Sequence, residues 1–291
     1  MFSGSIPALV TPFTAGEVDL AALRDLVEWQ VAEGSSGLVP CGTTGEVPTL
    51  SADEHAAVVR TTIEAAAGRV PVIAGCGSYS TAESLRKMIV AKELGADAAL
   101  VVVPYYNRPS QAGILAHYRA LSEGCDLPIV VYNVPSRTVA DIAVDTLAEV
   151  ARLRGVVGIK DATGSMARVT AQRLACGTDF CQLSGNDDMA LGFNAHGGVG
   201  CISVTANVAP RLCADLQKAT AEGRWDDARD LADRLYLLND AMFADASPGP
   251  AKYALGRVRP GFPQELRLPL LEANAAARDL VDAGLKAAGL V

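Results

Sequence analysis

Lysine is scarce in this chain, histidine scarcer, and the aromatic fraction is only 5%. The three histidines, His55, His117 and His196, form no His-x-x-x-His pair, so the usual ligands of a metal-dependent aldolase or hydrolase are missing. Solvated or locally hydrogen-bonded imidazoles are the expectation for all three. The seven cysteines, odd in number, never fall in a Cys-x-x-Cys pair, which argues against a zinc knuckle or a disulfide framework; reduced, mostly core thiols are expected. No run approaches the roughly 18 uninterrupted apolar residues of a membrane span, and the opening MFSGSIPALVTPF lacks the basic and long apolar regions of a secretory signal. A cytoplasmic protein with no membrane partner is therefore expected. The formal net charge of -8 argues against nucleic acid as a partner, because such surfaces draw on clustered Lys and Arg; a few local donors would still suffice for a small anion.

What is present is alternation. Short β-branched runs recur between longer amphipathic ones, a pattern of parallel βα units rather than hairpins. Eight candidate strands emerge at Ile6 to Thr11, Gly37 to Pro40, Pro71 to Ala74, Ala98 to Val103, Pro128 to Tyr132, Val156 to Lys160, Phe180 to Ser184 and Val199 to Ser203. Helices are expected at Leu20 to Ala32, Ala52 to Ala67, Ala82 to Leu94 and Asp141 to Leu153, where Leu, Val and Ile recur at three- and four-residue spacing. Strands such as VVGIK and ALVVV are apolar on both faces, as suits a sheet covered by helices outside and filled by side chains inside. Eight units without a G-x-G-x-x-G after the first strand favour an α/β fold of the (β/α)8 TIM-barrel type over an open doubly wound sheet. Residues 1–223 would form the barrel and residues 224–291 a C-terminal helical extension, with helices at Trp225 to Phe243, a short segment to Leu255, and Leu268 to Leu290.

Catalytic groups in such barrels sit at the carboxyl ends of the strands. Of the six lysines, Lys87, Lys92, Lys218, Lys252 and Lys286 fall in helical or C-terminal segments, and only Lys160 closes a strand, in GVVGIK. A partly desolvated amine there suits carbinolamine formation with a ketone, although strand-end lysines in many proteins simply reach out to solvent. Tyr132 ends the neighbouring strand in VVYNVPSRT, where a phenol could move protons for Schiff-base chemistry or merely cap the core. Arg137, in the loop beyond, could grip a carboxylate with both arms of its guanidinium or remain solvated. The CGTTGE run at Cys41 combines turn-permitting glycines with Thr43 and Thr44, a cradle fit for one small carboxylate but without the Gly-Lys-Thr core of a nucleotide loop. Tyr105 and Tyr106, in PYYNRPS, fall at the same rim, where adjacent aromatics more often mark packing or a subunit contact.

GSIPALVTPF at Gly4, CGTTGE at Cys41, PYYNRPS at Pro104, YNVPSRT at Tyr132, GIKDATG at Gly158, LSGND at Leu183 and ISVTAN at Ile202 run in order along the chain. Together they resemble the dihydrodipicolinate synthase family, within the N-acetylneuraminate lyase superfamily, from Met1 to the C-terminal helices. The resemblance implies that Lys160 condenses with pyruvate, that Tyr132 donates and accepts protons, and that Thr43 and Tyr106 complete a relay, Tyr106 reaching in from a neighbouring subunit. It implies that Thr44 and the Ile202 backbone contact pyruvate, that Arg137 binds the carboxylate of L-aspartate 4-semialdehyde, and that no cofactor or metal takes part. The partners implied are those two substrates and further copies of the chain, the family usually forming a homotetramer as a dimer of dimers. Sialic-acid lyases and sugar-acid or oxoglutarate aldolases of the superfamily share the Lys and Tyr, so another pyruvate-dependent Schiff-base lyase or aldolase is the alternative; Arg137 favours the synthase. A silent ligand-binding barrel is the third reading, against which Lys160, Tyr132 and Thr43 all stand.

Two departures from the family pattern stand out. Where lysine-inhibited bacterial members carry Ser and Ala after the GTTGE glutamate, two nearby histidines, and an Asn and a Glu after the third strand, this chain has Val47, Pro48, Ala52, His55, Tyr79 and Glu83, so only His55 and Glu83 remain, beside Tyr105. Weak or absent inhibition by lysine is expected, since a buried ammonium or carboxylate needs charge-assisted hydrogen bonds. The second is FADASPGPAKYAL at Phe243, where the family has a Glu-Pro-Asn-Pro-like run; no consequence follows from the sequence.

Overall fold

The computed structural model describes residues 2–291. Its strands are β1 (Gly4–Pro7), β2 (Phe13–Thr14), β3 (Glu17–Val18), β4 (Ile73–Gly75), β5 (Ala98–Val102), β6 (Ile129–Asn133), β7 (Val156–Asp161), β8 (Cys181–Ser184) and β9 (Gly200–Ser203). Its α-helices are α1 (Leu20–Ala32), α2 (Ala52–Ala66), α3 (Thr81–Leu94), α4 (Gln111–Gly124), α5 (Pro135–Thr138), α6 (Val144–Val150), α7 (Met166–Cys176), α8 (Ala190–Ala195), α9 (Pro210–Ala221), α10 (Trp225–Ala241), α11 (Gly249–Val258) and α12 (Ala275–Ala288). Several helices begin where a side chain takes up an otherwise unpaired first-turn amide. Asp19 accepts from Ala22 ahead of α1, Ser51 and Glu54 close a reciprocal capping box on α2, and Asn274 accepts from Ala277 on α12.

Seven strands form one parallel sheet in the order β1-β9-β8-β7-β6-β5-β4. The gap between β4 and β1 is closed by Leu38 and Val39, which make single parallel bridges to Val72 and Ala8. The expected strand at Gly37 to Pro40 is thus reduced to two bridging residues. Pro7, Pro40 and Pro71 flank this stave and have no N–H to give, so the ladder on either side cannot extend. The barrel still closes: Leu9 and Ile73 donate to Val39 and Leu38, Val39 and Leu38 donate to Pro7 and Pro71, and Gly75 donates to Pro40, all at 2.8–2.9 Å.

Apolar packing falls into two groups. Ile6, Val39, Ile73, Leu100, Val130, Leu183 and Ile202 fill the barrel interior, while a larger cluster lies between sheet and helices. That larger cluster takes in Leu235 and Leu238 of α10 and Val281 and Leu285 of α12, so the C-terminal helices share the outer core of the barrel. A Cβ on Gly284 would lie 2.9 Å from the Leu238 Cα, which lets α12 meet α10 backbone to backbone.

Other expectations shift at their edges. The helix expected at Asp141 to Leu153 shortens to α6, because Asn133, at the end of β6, holds Asp141 and Ile142 in a non-helical loop. The helix expected from Leu268 begins only at Ala275, after the non-helical stretch that contains Pro269 and the Asn274 cap. The small β2–β3 hairpin was not anticipated, its strands being two residues each. No helix among the described residues is long and apolar enough to cross a membrane. All seven cysteines are free, six of them buried.

Two of the three histidines are interior rather than solvated. His55 shares a 2.7 Å hydrogen bond with the Gly75 carbonyl, and His117 one of 2.9 Å with the Thr81 hydroxyl; His196, exposed, contacts Thr170. Burial pulls the His117 imidazole down to about 4. Its folded value lies below the unfolded one, so its contribution is complete above about pH 6.5 and lost as pH falls towards about 4, a slope approaching about 1.4 kcal/mol per pH unit. Denaturant unfolding across that range should show a His117→Gln variant losing about 2–3 kcal/mol less than the unmodified chain; parallel acid limbs would contradict it.

Candidate active site

Tyr132 and Lys160 are register partners, each the penultimate residue of its strand, β6 and β7. Alternation along β6 turns Val130 and Tyr132 into the barrel interior. Two positions before Lys160 stands Gly158, where a Cβ would lie 2.4 Å from the Cys181 carbonyl oxygen, so only glycine allows β7 and β8 to approach so closely beneath the lysine. The Lys160 Nζ lies 4.4 Å from the centroid of the Tyr132 ring, and the two residues are 6% and 8% exposed. Gly185, at the end of β8, presses on the lysine stem: a Cβ there would come within 3.1 Å of Lys160 Cε and 2.7 Å of the Ala162 Cβ. The loop beyond Lys160 is fixed by Asp161, which accepts from the Thr163 amide at 2.8 Å and the Gln172 amide group at 2.7 Å, with Arg168 beside it.

Above the pair opens a cavity of about 530 Å³ at the carboxyl ends of the strands. Thr43 and Thr44 line it from the loop that follows the bridging stave. Gly45 donates to Gly42 and Glu46 to Thr43, both at 3.1 Å, and the Thr11 hydroxyl donates to Gly45 at 2.7 Å, which defines the turn. Cys41 and Glu46 at its ends adopt left-handed φ of 56° and 54°. Gly75 must be glycine, since a Cβ there would sit 2.0 Å from the Cys41 carbonyl oxygen.

Arg137 stands exposed at the rim on the single-turn α5, whose loop is tied down by Asn133 through Asp141 at 2.8 Å. Asn186 and Asp188 line the cavity from the loop after β8, and Asn239, Asp240 and Phe243 form a wall contributed by α10 and the residues after it. Asp187 turns the other way. It accepts from the Val204 and Thr205 amides at 2.9 and 3.3 Å and from the Ser203 hydroxyl, so it shapes the turn after β9. Burial pushes its carboxyl above the usual range, with those accepted bonds opposing, even though part of the residue's surface remains accessible.

Five of the seven residues singled out in the sequence therefore meet in one cavity: Thr43, Thr44, Tyr132, Arg137 and Lys160. The Ile202 side chain is wholly buried in the barrel interior, leaving only its backbone available to the site. Tyr106 does not line the cavity of its own chain; it is 89% exposed, at φ 68°, next to a Tyr105 ring stacked edge-on against Tyr79 at 5.5 Å. The contribution of α10 was not foreseen, because its polar residues look like a solvated helix face. Lys252, which the sequence places on a helical segment away from the strand ends, is fully buried, its Nζ 2.6 Å from Glu46. Its sequence signal is faint, a lysine among the small and apolar residues of the helical GPAKYAL run. A second depression of about 400 Å³ lies among Ser3, Ser36, Arg211 and Trp225, and none of those five cavity residues lines it.

Chemically, the cavity presents a primary amine beside a phenol, hydroxyls and backbone amides at a turn, and, among its lining residues, one guanidinium and two carboxylates. Those are the parts needed to form an imine with an oxo acid, shift protons at the adjoining carbon, and hold a second charged reactant.

A sequence profile described as the Dihydrodipicolinate synthetase family matches residues 1–288. The chain is 63% identical over 290 residues to a 4-hydroxy-tetrahydrodipicolinate synthase of Rhizorhabdus wittichii, with both chains covered in full. It is 60% identical over 291 residues to that of Sphingopyxis alaskensis, again with complete coverage of both. Among solved structures it resembles the chloride-inhibited dihydrodipicolinate synthase of Acinetobacter baumannii complexed with pyruvate, at 40% identity and a TM-score of 0.97 over 100% of both chains.

Proposed function

The chain belongs to the dihydrodipicolinate synthetase family, and on that premise we propose that it condenses pyruvate with L-aspartate 4-semialdehyde, the 4-hydroxy-tetrahydrodipicolinate synthase reaction of the diaminopimelate route to lysine. The observation that carries this reading is the Lys160 amine, buried 4.4 Å from the Tyr132 ring at the floor of an open cavity.

Lys160 Nζ attacks the pyruvate ketone; the carbinolamine loses water to an imine, and loss of a methyl proton gives the enamine. The enamine carbon bonds to the aldehyde carbon of the semialdehyde, whose oxygen takes up a proton. The amine of the adduct then adds to the imine carbon, Lys160 leaves, and the ring closes as a hydroxylated tetrahydropyridine dicarboxylate. One water is released overall. Tyr132 carries protons to and from the carbinolamine, relayed through Thr43 and Tyr106. Thr44 and the Ile202 backbone contact pyruvate, and Arg137 takes the carboxylate of the semialdehyde.

A Tyr106 so exposed on its own chain fits a role in a neighbour's site, which supports a homo-oligomer as the working form. Seven unpaired cysteines suit the reducing cytoplasm. Inhibition by lysine is weak or absent: beyond the lost polar positions, His55 is already committed to the Gly75 carbonyl and Glu83 to Arg86 at 2.7–2.8 Å.

A coupled assay with both substrates tests the reaction. Lys160→Ala should lower turnover roughly a thousandfold or more. Arg137→Ala should raise the KM for the semialdehyde about 10- to 100-fold while leaving that for pyruvate nearly unchanged. Turnover of pyruvate with other aldehydes but not with the semialdehyde would overturn the assignment. In the same assay, added lysine should leave the rate nearly unaltered, and half-inhibition at submillimolar lysine would contradict the reading of its site.

A further inference from the structure

Among the described residues only two lysines are buried, and they differ in surroundings. Lys252, on α11, has no exposed surface; its Nζ donates to Glu46 Oε1 and to the Glu265 carbonyl, both at 2.6 Å, and lies 4.4 Å above the Phe13 ring. The second carboxylate oxygen of Glu46 accepts from the Arg267 amide at 3.1 Å. Glu46 is itself the last residue of the turn that presents Thr43 and Thr44 to the cavity, and it holds a left-handed φ of 54° that a side-chain-bearing residue adopts only under constraint. Its amide closes that turn on the Thr43 carbonyl, and its own carbonyl accepts from the Thr49 amide and hydroxyl, both at 3.0 Å. Both ends of Glu46 are thereby fixed, the backbone by the turn and the carboxylate by groups 206 and 221 residues away.

We propose that the buried Lys252–Glu46 pair is a positioning device for the active site, holding the Thr43–Thr44 turn in place over Lys160 and making the C-terminal segment a working part of the catalytic geometry. The inference rests on the reaction assigned to Lys160 above. A buried ion pair is a poor source of stability, because desolvation offsets the attraction, and apolar or neutral groups of similar shape commonly replace one without loss. What such groups do not replace is a directional anchor on a strained turn. Lys252 and Glu46 touch no reactant; they act through the two threonines.

The test is the paired variant Lys252→Met with Glu46→Gln, which leaves no lone buried charge. It should fold and melt near the unmodified protein, yet kcat should fall about 10- to 100-fold with a raised pyruvate KM, the effect of a small misplacement of a relay group. Because the pair acts on kcat through Thr43, the kcat of the paired variant that also carries Thr43→Val should lie within about twofold of that of Thr43→Val alone. Should the paired variant not fold, Glu46→Asp, which keeps the charge and withdraws it by one methylene, is judged by the same two criteria. Kinetic constants within about twofold of the unmodified enzyme, or losses that multiply with that of Thr43→Val, overturn the proposal. The unmodified enzyme assayed in parallel separates the two claims: if it turns over, only the positioning role is at stake, whereas a silent unmodified enzyme overturns the reaction and the positioning role together.

Discussion

Holding a lysine amine inside a barrel, out of bulk water and next to a phenol, is the constraint on which the rest of the structure turns. Lys160 and Lys252 make the point by contrast. Both are removed from solvent, but Lys252 is given a carboxylate, a carbonyl and an aromatic face, which use up its capacity to react, while Lys160 is given a tyrosine ring and an open cavity. An amine satisfied by a carboxylate is an anchor, and one left facing a cavity is a nucleophile in waiting.

The backbone around Lys160 is arranged to permit this. Gly158 and Gly185 remove side chains where β7 meets β8 and where the following loop crosses the lysine stem, so the stem is gripped without being capped. Gly75 and the two left-handed residues Cys41 and Glu46 bring the threonine turn close to the barrel on the opposite side. From above, α10 and the residues after it close part of the mouth, so α10 serves the outer core with its apolar face and the cavity with its polar one. Barrel, turn and helical wall converge on one volume.

Much of this was legible in the sequence, for identifiable reasons. Strands apolar on both faces and helices with three- and four-residue spacing gave the barrel, and a single lysine at a strand end gave its chemical centre. The stave at Leu38 and Val39 was legible as an apolar run, but its prolines, which limit pairing to two bridges, mattered more than its β-branched side chains. The helices at Val144 and Ala275 start late because Asn133 and Asn274 impose local hydrogen bonds that periodicity does not register. In the site, Tyr132 and Lys160 announce themselves by position at a strand end, and Thr43, Thr44 and Arg137 by position in the loop after one. Lys252, Asn239 and Asp240 do not, because they arrive on helices remote in sequence, and only tertiary packing brings α10 and α11 against the loops of the barrel. Tyr106 is the residue whose place a single chain leaves open, being displayed outward rather than toward its own cavity.

The central claim is that one particular amine makes the covalent bond. Reduction with borohydride in the presence of pyruvate, followed by digestion and mass measurement, tests it most directly. The account predicts a single added three-carbon unit on the peptide that contains Lys160, with Lys252 unmodified. An unmodified Lys160 peptide, or the same unit on another lysine, would contradict it.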